Sequence, residues 1–287
     1  MKKPHWSVES SHPSVVTVRA EISPSRDMLV LLRGDAHHDN PHCNQKLERK
    51  HLEQAKERGA GIIDVGDLFC AMQGRYDKRA NKSIVRPEHQ HGDYLDRLVS
   101  TASEFYEPYA HNWIVFGQGN HETAIYERLE TNLTERLCER LRDRTKALVV
   151  AGGYSGWVRF MFTRGDRRCS RRLWYFHGSG GGGPVTLDTI QGQRQTAYVE
   201  NADVMVTGHT HDSWAIERTK LRLNDAGVVE HRPVWQVKVP TYKDEYGSGV
   251  GGWHVQTGKP PKPTGAYWLR FYMSNDEIHT EITKAQA

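Results

Sequence analysis

The stretch LLRGDAHHDN, residues 31–40, decides the fold because it joins a buried strand to side chains that bind metals. Residues 28–33, MLVLLR, form a short apolar run with the pattern of a buried strand. Asp35, His37 and His38 follow this run directly and offer carboxylate and imidazole groups. The stretch therefore predicts a metal site at the carboxyl end of a strand.

The same arrangement recurs along the chain, with an apolar run that ends and an Asp, Asn or His that follows. It occurs in RGDAHHD (33–39), VGDLF (65–69), GQGNHET (117–123), YFHGSG (175–180) and TGHTHD (207–212). In open α/β sheets, binding sites gather outside the carboxyl ends of the strands. We therefore expect these segments, which are distant in sequence, to converge on one site.

The rest of the pattern is that of a mixed α/β protein. Helical spacing and apolar runs predict helices over 44–58, 88–109, 122–142 and 187–199, and strands over 15–20, 28–33, 61–65, 113–116, 147–150, 156–162, 172–176 and 202–207. Early strand–helix alternation indicates βαβ units, and the pattern becomes strand-rich after residue 210. We expect one domain over 1–287, with the polar segments inside 28–212 and a strand-rich part over 213–287.

The composition is that of an ordinary globular protein, with 37% hydrophobic and 26% charged residues. No apolar run is long enough for a membrane span, and the N-terminus lacks the apolar stretch of a signal peptide. The four cysteines are scattered and include no CxxC pair, so we expect reduced thiols and a cytoplasmic protein. The net charge of +4 is weak evidence for nucleic acid as a partner.

The polar side chains at the strand ends form a chemically coherent ligand set. Carboxylate, amide and imidazole groups without thiolates suit Mn²⁺, Fe or Zn²⁺. The set is too large for one catalytic zinc with an open position, and it fits two metals that share a bridging carboxylate. The predicted ligands are Asp35, His37, Asp67, Asn120, His177, His209 and His211.

Side-chain direction separates neighbouring histidines. Residues i and i+2 of an extended segment point the same way, so Asp35 and His37 reach one metal while His38 points elsewhere. The same rule sends His209 and His211 to one side, unless a turn after the strand aims them at different metals. The sequence leaves these two alternatives open.

In this order, the motifs resemble the calcineurin-like metallophosphoesterase superfamily. They are Asp35 with His37, Gly66-Asp67, Gly119-Asn120-His121-Glu122, His177 and Gly208-His209-Thr210-His211. The resemblance implies a four-layer αββα sandwich with a dinuclear metal site. Asp35, His37, Asp67 and His211 would hold the first ion. Asp67, Asn120, His177 and His209 would hold the second, with Asp67 as the bridge.

The resemblance also implies a chemistry. Two divalent ions, with manganese predicted and iron or zinc as alternatives, would activate a bridging hydroxide and clamp an in-line displacement at phosphorus. Asp67 and His121 are the predicted catalytic residues. His121 matches the histidine beside the scissile phosphate, where a proton donor contributes on the order of 10²–10⁴-fold.

The branch of the superfamily is indicated by the residues that follow Asp67. They read LFCAM instead of the Asp-Arg-Gly signature of the protein phosphatases. The segment is more similar to the exonuclease and phosphodiesterase branches, and GDLF followed by GRYDKR also resembles phage-encoded members.

We therefore expect a phosphodiesterase or nuclease that acts on DNA or RNA, with no membrane partner. Arg75 and Arg79 follow the second motif closely enough to contact phosphate. His38 is expected either behind the ligands or at the rim of the site, where it would contact the substrate. The alternatives are a phosphomonoesterase for a small metabolite, nucleotide or phosphoprotein, and a non-catalytic nucleic-acid-binding module. The sequence does not identify protein partners.

Overall fold

The computed structural model describes residues 4–12, 14–72, 85–247 and 252–286. The strands are β1 (Trp6–His12), β2 (Val15–Glu21), β3 (Met28–Arg33), β4 (Gly61–Asp64), β5 (Trp113–Phe116), β6 (Ser155–Arg164), β7 (Arg167–Phe176), β8 (Val204–Thr207), β9 (Trp214–Leu223), β10 (Val229–Lys238), β11 (Tyr267–Ser274) and β12 (Glu277–Lys284). The helices are α1 (Gln45–Arg58), α2 (Tyr94–Tyr106), α3 (Asn120–Leu129), α4 (Leu133–Thr145), α5 (Thr189–Gln195) and α6 (Trp253–Gln256), with 3₁₀ turns at Pro87–His89 and Glu107–Asn112.

The strands form two mixed sheets. The seven-stranded sheet has the order β1-β2-β6-β7-β8-β10-β9, and the five-stranded sheet has the order β12-β11-β3-β4-β5. Strands β3, β4 and β5 are mutually parallel, as are β7, β8 and β10. The part of the chain after residue 212 adds β9 and β10 to the first sheet and β11 and β12 to the second.

One hydrophobic core lies between the two sheets. Side chains such as Val18 and Phe160 of the seven-stranded sheet pack against Leu32, Ile63 and Phe271 of the five-stranded sheet. Burial of this apolar surface supplies the main driving force for the stacking of the sheets, at roughly 25 cal/mol per Å². The strand ends therefore stay fixed relative to one another, which is what a site assembled from both sheets requires.

The other face of the five-stranded sheet packs against α1, α2 and α4. Leu31 of β3 and Trp113 of β5 share a buried cluster with Leu52, Ala102 and Leu137 of these helices. The outer face of the seven-stranded sheet is covered in part by the chain around α5. Val199 and Ala202 there pack on Trp174, Met205 and Val234.

The residues that cap helix α1 set where it begins and ends. The Asn44 side chain accepts a hydrogen bond from the Leu47 N–H at 3.0 Å, as an N-cap does. Gly59 ends the helix at a φ of 65°, a left-handed conformation that glycine adopts without strain. These cap signals are visible in the sequence, and the prediction of this helix is confirmed.

Some predicted elements differ from the structure. Residues 147–150 are predicted as a strand, but in the structure only the neighbouring Ala151 makes an isolated bridge, to Phe116 at the end of the edge strand β5. Helix α2 begins at Tyr94 instead of residue 88, after a 3₁₀ turn at Pro87–His89. Helix α5 is shorter than the predicted range, and strand β1, too polar for an apolar run, was missed.

All four cysteines are free in the structure, as predicted; they are Cys43, Cys70, Cys138 and Cys169. Among the described residues, we find no helix with the length and apolar character needed to cross a membrane.

Candidate metal centre

The predicted ligands converge where strands of both sheets end. Asp35 follows β3, Asp67 follows β4, and Asn120 begins α3 shortly after β5. The other sheet contributes His177 directly after β7, and His209 and His211 after β8. Backbone hydrogen bonds join the loops, since the Asp35 N–H donates to the Gly66 carbonyl at 2.8 Å. The five polar segments thus form one cluster in the structure.

The first group of ligands contains Asp35, His37 and His211. Their ligand atoms all lie within 4.8 Å of one another. The Nε2 atoms of His37 and His211 are 3.1 Å apart, and His211 Nε2 is 3.4 Å from Asp35 Oδ1. Two imidazole nitrogens and a carboxylate oxygen therefore face a common point, which is the arrangement that holds a divalent metal ion.

The second group contains Asp67, His177 and His209, and its ligand atoms also lie within 4.8 Å of one another. His177 Nε2 is 3.2 Å from Asp67 Oδ2. Asn120 Oδ1 lies between the two imidazoles, 2.7 Å from His209 Nδ1 and 3.2 Å from His177 Nε2. The amide oxygen of Asn120 is therefore placed as a further ligand of this group.

The backbone around the site adopts the left-handed region, which non-glycine residues rarely occupy. Asp35, His37 and Asp67 have φ values of 49°, 46° and 53°, and His209 and His211 have 77° and 60°. Such conformations cost on the order of 1–3 kcal/mol each and cluster at functional sites. The sequence left open whether His209 and His211 point to the same side. In the structure the turn after β8 sends them to different ligand groups.

The structure brings Asp35 and His37 together, but not through the geometry that the prediction assumed. The prediction assumed an extended segment, in which residues i and i+2 point the same way. The left-handed φ values of both residues show that the backbone turns here and is not extended. The turn brings their side chains together because the Asp35 and His37 N–H groups bond to the Gly66 and Asp67 carbonyls.

The donor set fits a metal ion. Among the described residues, Asp35 Oδ1, which faces the first group, is a buried atom without a hydrogen-bond partner. Burial, together with the nearby His121 and His211 rings, holds the pKa of His37 well below its usual value, so the imidazole is neutral and able to ligate. Burial opposes ionisation of Asp67, but the imidazoles of His177 and His121 keep its pKa well below the usual value.

Thiols do not take part in this ligand set. Burial and the Asp39 charge raise the pKa of Cys70 to about 12, although this residue lies near His37 and His121. His38, Cys43 and Glu48 form a separate buried cluster away from the strand ends. The Glu48 carboxylate of this cluster is already bound to other side chains. The two groups of ligands at the strand ends, which contain oxygen and nitrogen donors and no thiol, therefore define the centre among the described residues.

His121 is positioned beside both groups. Its backbone N–H donates to Asp67 Oδ1 at 3.0 Å, and its ring Nδ1 is 2.6 Å from the Cys70 carbonyl oxygen. Its Nε2 faces the site, 3.8 Å from Asp67 Oδ2, and its ring is 5.0 Å from the His37 ring. The Cys70 carbonyl can only accept, so it fixes the proton on Nδ1 and leaves Nε2 as the ring nitrogen that faces the two ligand groups.

The Glu122 carboxylate lies between the loops that carry Asp67 and Asn120. Its carboxylate accepts hydrogen bonds from the N–H groups of Phe69 and Gly119, both at 2.8 Å, and of Asp67 at 3.2 Å. The side chain is fully buried and joins the loops after β4 and β5. Glu122 therefore fixes the position of Asp67 relative to Asn120.

The structure corrects the rim position predicted for His38. The side chain is buried, with Nδ1 3.1 Å from Glu48 Oε2, and its ring packs 4.5 Å from Phe105. Glu48 in turn binds Arg33 at 2.8 Å, so His38 belongs to a buried ionic network under α1. The ring points away from the ligands, as predicted, and it is buried against Phe105 and Tyr106 instead of lying at a rim. The other predicted substrate contacts, Arg75 and Arg79, lie outside the described residues.

A hydrogen-bonded shell around the second group was not visible in the sequence. His209 Nε2 is 2.9 Å from the carbonyl oxygen of Gly180, in the glycine-rich loop after β7. The Tyr154 hydroxyl donates to the Gly178 carbonyl at 2.7 Å, and its ring meets the His177 ring edge-on at 5.3 Å. Tyr154 therefore holds both a ligand and the loop that orients another ligand.

Tyr154→Phe is expected to weaken binding of a metal ion by the second group by about tenfold, because groups that orient metal ligands typically contribute 10–100-fold in affinity. Calorimetric titration of the purified protein with Mn²⁺ measures this change directly. Tyr126→Phe, at an exposed tyrosine of α3, is the matched control. Equal Mn²⁺ affinities in the two variants would show that the Tyr154 hydroxyl does not support the site.

Comparisons with known proteins add little to this geometry. Neither a family model nor a curated protein matches the chain. Among solved structures, vacuolar protein sorting 29 from Cryptosporidium parvum is similar at 13% identity and a TM-score of 0.33, covering 91% of this chain and 99% of that chain. GAP50, the anchor in the inner membrane complex of Plasmodium, is similar at 11% identity and a TM-score of 0.41, covering 90% of this chain and 84% of that chain. Likenesses at this level assign neither a fold nor an activity.

Proposed function

We propose that the chain is a dinuclear-metal-dependent phosphoester hydrolase of the calcineurin-like kind that acts on phosphodiesters. The observation that supports this most directly is the pair of ligand groups, Asp35 with His37 and His211, and Asp67 with His177 and His209. Two adjacent groups of hard and borderline ligands at strand ends are what two-metal phosphoester chemistry requires.

The four-layer αββα arrangement belongs to the same proposal. Helices α1, α2 and α4 form one outer layer on the five-stranded sheet, and the two sheets form the inner layers. The fourth layer would be the chain around α5, which is held to β10 by a hydrogen bond of 2.6 Å from Gln236 Nε2 to the Gly192 carbonyl. This layer is thin, because α5 has only seven residues.

One ion would be held by Asp35, His37 and His211, and the other by Asp67, Asn120, His177 and His209. Asp67 is proposed as the ligand common to both. Bound divalent ions lower the pKa of a water molecule and neutralise charge on phosphate oxygens. Manganese is the proposed ion. Iron and zinc are the alternatives, because carboxylate, amide and imidazole ligands suit all three metals.

His121 is proposed to act on the leaving oxygen. Its Nδ1 is fixed by the Cys70 carbonyl at 2.6 Å, so Nε2 is the atom that carries or releases the exchangeable proton. The Nε2 atom faces the space between Asp67 and the His37 ring, where a phosphoryl group held by the ligand groups would lie. In its protonated form it would donate to the departing oxygen, as a general acid does.

Removal of metal is expected to abolish the activity. Protein treated with a chelator and desalted should lose essentially all hydrolysis of bis-p-nitrophenyl phosphate, and Mn²⁺ should restore it, because the described residues of the two groups supply ligands and one acid, and activation of the attacking water would depend on the bound ions. The same assay with p-nitrophenyl phosphate separates the classes. A preference for the monoester would favour a phosphomonoesterase, and no hydrolysis with Mn²⁺, Fe²⁺ or Zn²⁺ would contradict the proposed function.

A further inference from the structure

The orientation of His121, the proposed acid, depends on one peptide group. Its ring Nδ1 is 2.6 Å from the Cys70 carbonyl oxygen, and this carbonyl belongs to the planar peptide unit that joins Cys70 to Ala71. Rotation of this unit would turn the oxygen away and leave Nδ1 without its acceptor. A group that fixes the Cys70–Ala71 peptide therefore also fixes the His121 ring.

The Asp39 carboxylate holds this peptide unit. Its Oδ2 accepts a hydrogen bond at 2.9 Å from the Ala71 N–H, which is the other end of the same unit. Its Oδ1 accepts the Cys70 N–H at 2.5 Å, so the peptide units on both sides of Cys70 are fixed. Hydrogen bonds to an ionised carboxylate are roughly twice as strong as those between neutral groups. Asp39 therefore sets the direction in which the Cys70 carbonyl points.

The backbone at Ala71 needs this support. Ala71 has a φ of 45°, in the left-handed region that a residue with a side chain rarely adopts. Such a conformation persists only where the surrounding contacts impose it. Asp39 and Ala71 are both buried, so their hydrogen bond is shielded from solvent.

Asp39 is itself held by helix α2. The Tyr94 hydroxyl, at the start of this helix, donates to Asp39 Oδ2 at 3.2 Å. The neighbouring Asn40 adds a contact from its Nδ2 to Cys70 Sγ at 3.3 Å. The contacts therefore run from α2 through Asp39 and the backbone of Cys70 to the ring of His121.

The Asp39 contacts are separate from those that hold the metal ligand of the same loop. Glu122 accepts the N–H groups of Asp67 and Phe69. The loop after β4 is thus held at Asp67 and Phe69 by Glu122, and at the next two residues by Asp39. Loss of the Asp39 contacts should therefore disturb His121 without removing a ligand from either group.

We infer that Asp39 is a positioning residue for His121, which it aligns through the Cys70–Ala71 peptide. The aligned ring donates its Nε2 proton to the leaving oxygen as the bond between that oxygen and phosphorus breaks. The inference rests on the proposed diesterase activity, and it assigns Asp39 to departure of the leaving group. The effect of Asp39 should grow with the basicity of the leaving group, because a more basic oxygen depends more on a proton donor.

The first test compares two aryl diesters, bis-p-nitrophenyl phosphate with a good leaving group and diphenyl phosphate with a poor one. Asp39→Asn keeps the size of the side chain but cannot accept both N–H groups. It is expected to lower kcat for diphenyl phosphate by at least about tenfold, as part of the 10²–10⁴-fold contribution of a proton donor, and kcat for the nitrophenyl ester by less than about threefold. The content of bound metal should not change.

The matched control is Asp203→Asn. Asp203 is also buried and accepts a backbone N–H, that of Arg172 at 2.7 Å, but it precedes β8 at the end opposite the metal centre. This control should leave the ratio of the two rates unchanged. In a His121→Ala background, Asp39→Asn should cause no further loss on diphenyl phosphate, because residues that act through one another are not additive.

Equal falls on the two diesters, loss of bound metal, or a further loss in the His121→Ala background would show a merely structural role and overturn the inference. Should Asp39→Asn not fold, Tyr94→Phe decides, since it removes only the third hydrogen bond on the carboxylate. It should shift the ratio of the two rates in the same direction by a smaller factor, and an unchanged ratio would then contradict the inference.

The second test does not depend on activity. Nitrogen-15 NMR of the histidine rings, recorded with Zn²⁺ at about pH 8.5, where an unperturbed histidine is neutral, reports which ring nitrogen carries the proton. The His121 signals are those absent from His121→Ala. They should show the proton on Nδ1 in the unchanged chain and a mixture of both forms in Asp39→Asn.

The NMR result separates the two proposals. An identical His121 signal in Asp39→Asn and the unchanged chain would overturn the positioning role, whatever the activity. A changed signal in a chain that hydrolyses neither diester would support the positioning of the ring and refute the proposed function alone.

Discussion

Asp67→Asn is expected to lower kcat/KM for bis-p-nitrophenyl phosphate by at least about 10³-fold, because metal stabilisation of the transition state is worth several kcal/mol and each 1.36 kcal/mol is tenfold. Asp67 is the proposed ligand of both ions, and its carboxylate also accepts the His121 N–H at 3.0 Å. The amide of Asn keeps this hydrogen bond but lacks the second anionic oxygen. Both activity and bound metal should therefore fall.

The measurement combines initial rates with metal analysis of the purified variant. Asp166→Asn is the control, since Asp166 is an exposed residue in the turn between β6 and β7. The control should keep full activity and full metal content. Retention of more than about a tenth of the activity by Asp67→Asn, with unchanged metal content, would refute a bridging role for Asp67.

His37→Ala and His38→Ala are expected to fail in different ways. His37 Nε2 lies among the ligands of the first group, so its removal should cost at least about 10²-fold in kcat/KM and one bound metal ion. His38 bonds to the buried Glu48 at 3.1 Å. Its removal should lower the free energy of unfolding by about 1.5–3 kcal/mol, the contribution of a hydrogen bond to a charged group. Activity per folded molecule should change little.

The two variants serve as controls for each other, because they alter adjacent residues of the same type. Steady-state rates, metal content and urea unfolding should be measured on both. Equal losses of activity and metal from the two substitutions would mean that the imidazoles act together. A large loss of activity from His38→Ala alone would reverse the assignment.

The convergence of the ligands could be predicted from the sequence because it depends on strand ends. Parallel strands place their carboxyl ends at one edge, so polar residues that follow β3, β4 and β5 meet whatever the details of the loops. The types of side chain then restrict the chemistry. Asp67 and His209 needed no structure to be recognised as candidate ligands.

Other features depended on contacts between distant residues and could not be predicted. The burial of His38 follows from its packing against Phe105 and its bond to Glu48, which α1 and α2 supply. The role of Tyr154 requires the loop that carries Gly178 to fold back onto it. The left-handed turns at the ligands also depend on tertiary contacts, because residues other than glycine rarely adopt this backbone conformation on their own.

The dinuclear assignment is tested most directly by anomalous scattering from crystals of the protein grown with Mn²⁺. We expect two manganese peaks, one among Asp35, His37 and His211, and one among Asp67, Asn120, His177 and His209. A single peak, or a peak beside His38, Cys43 and Glu48 with none at the strand ends, would contradict the assignment.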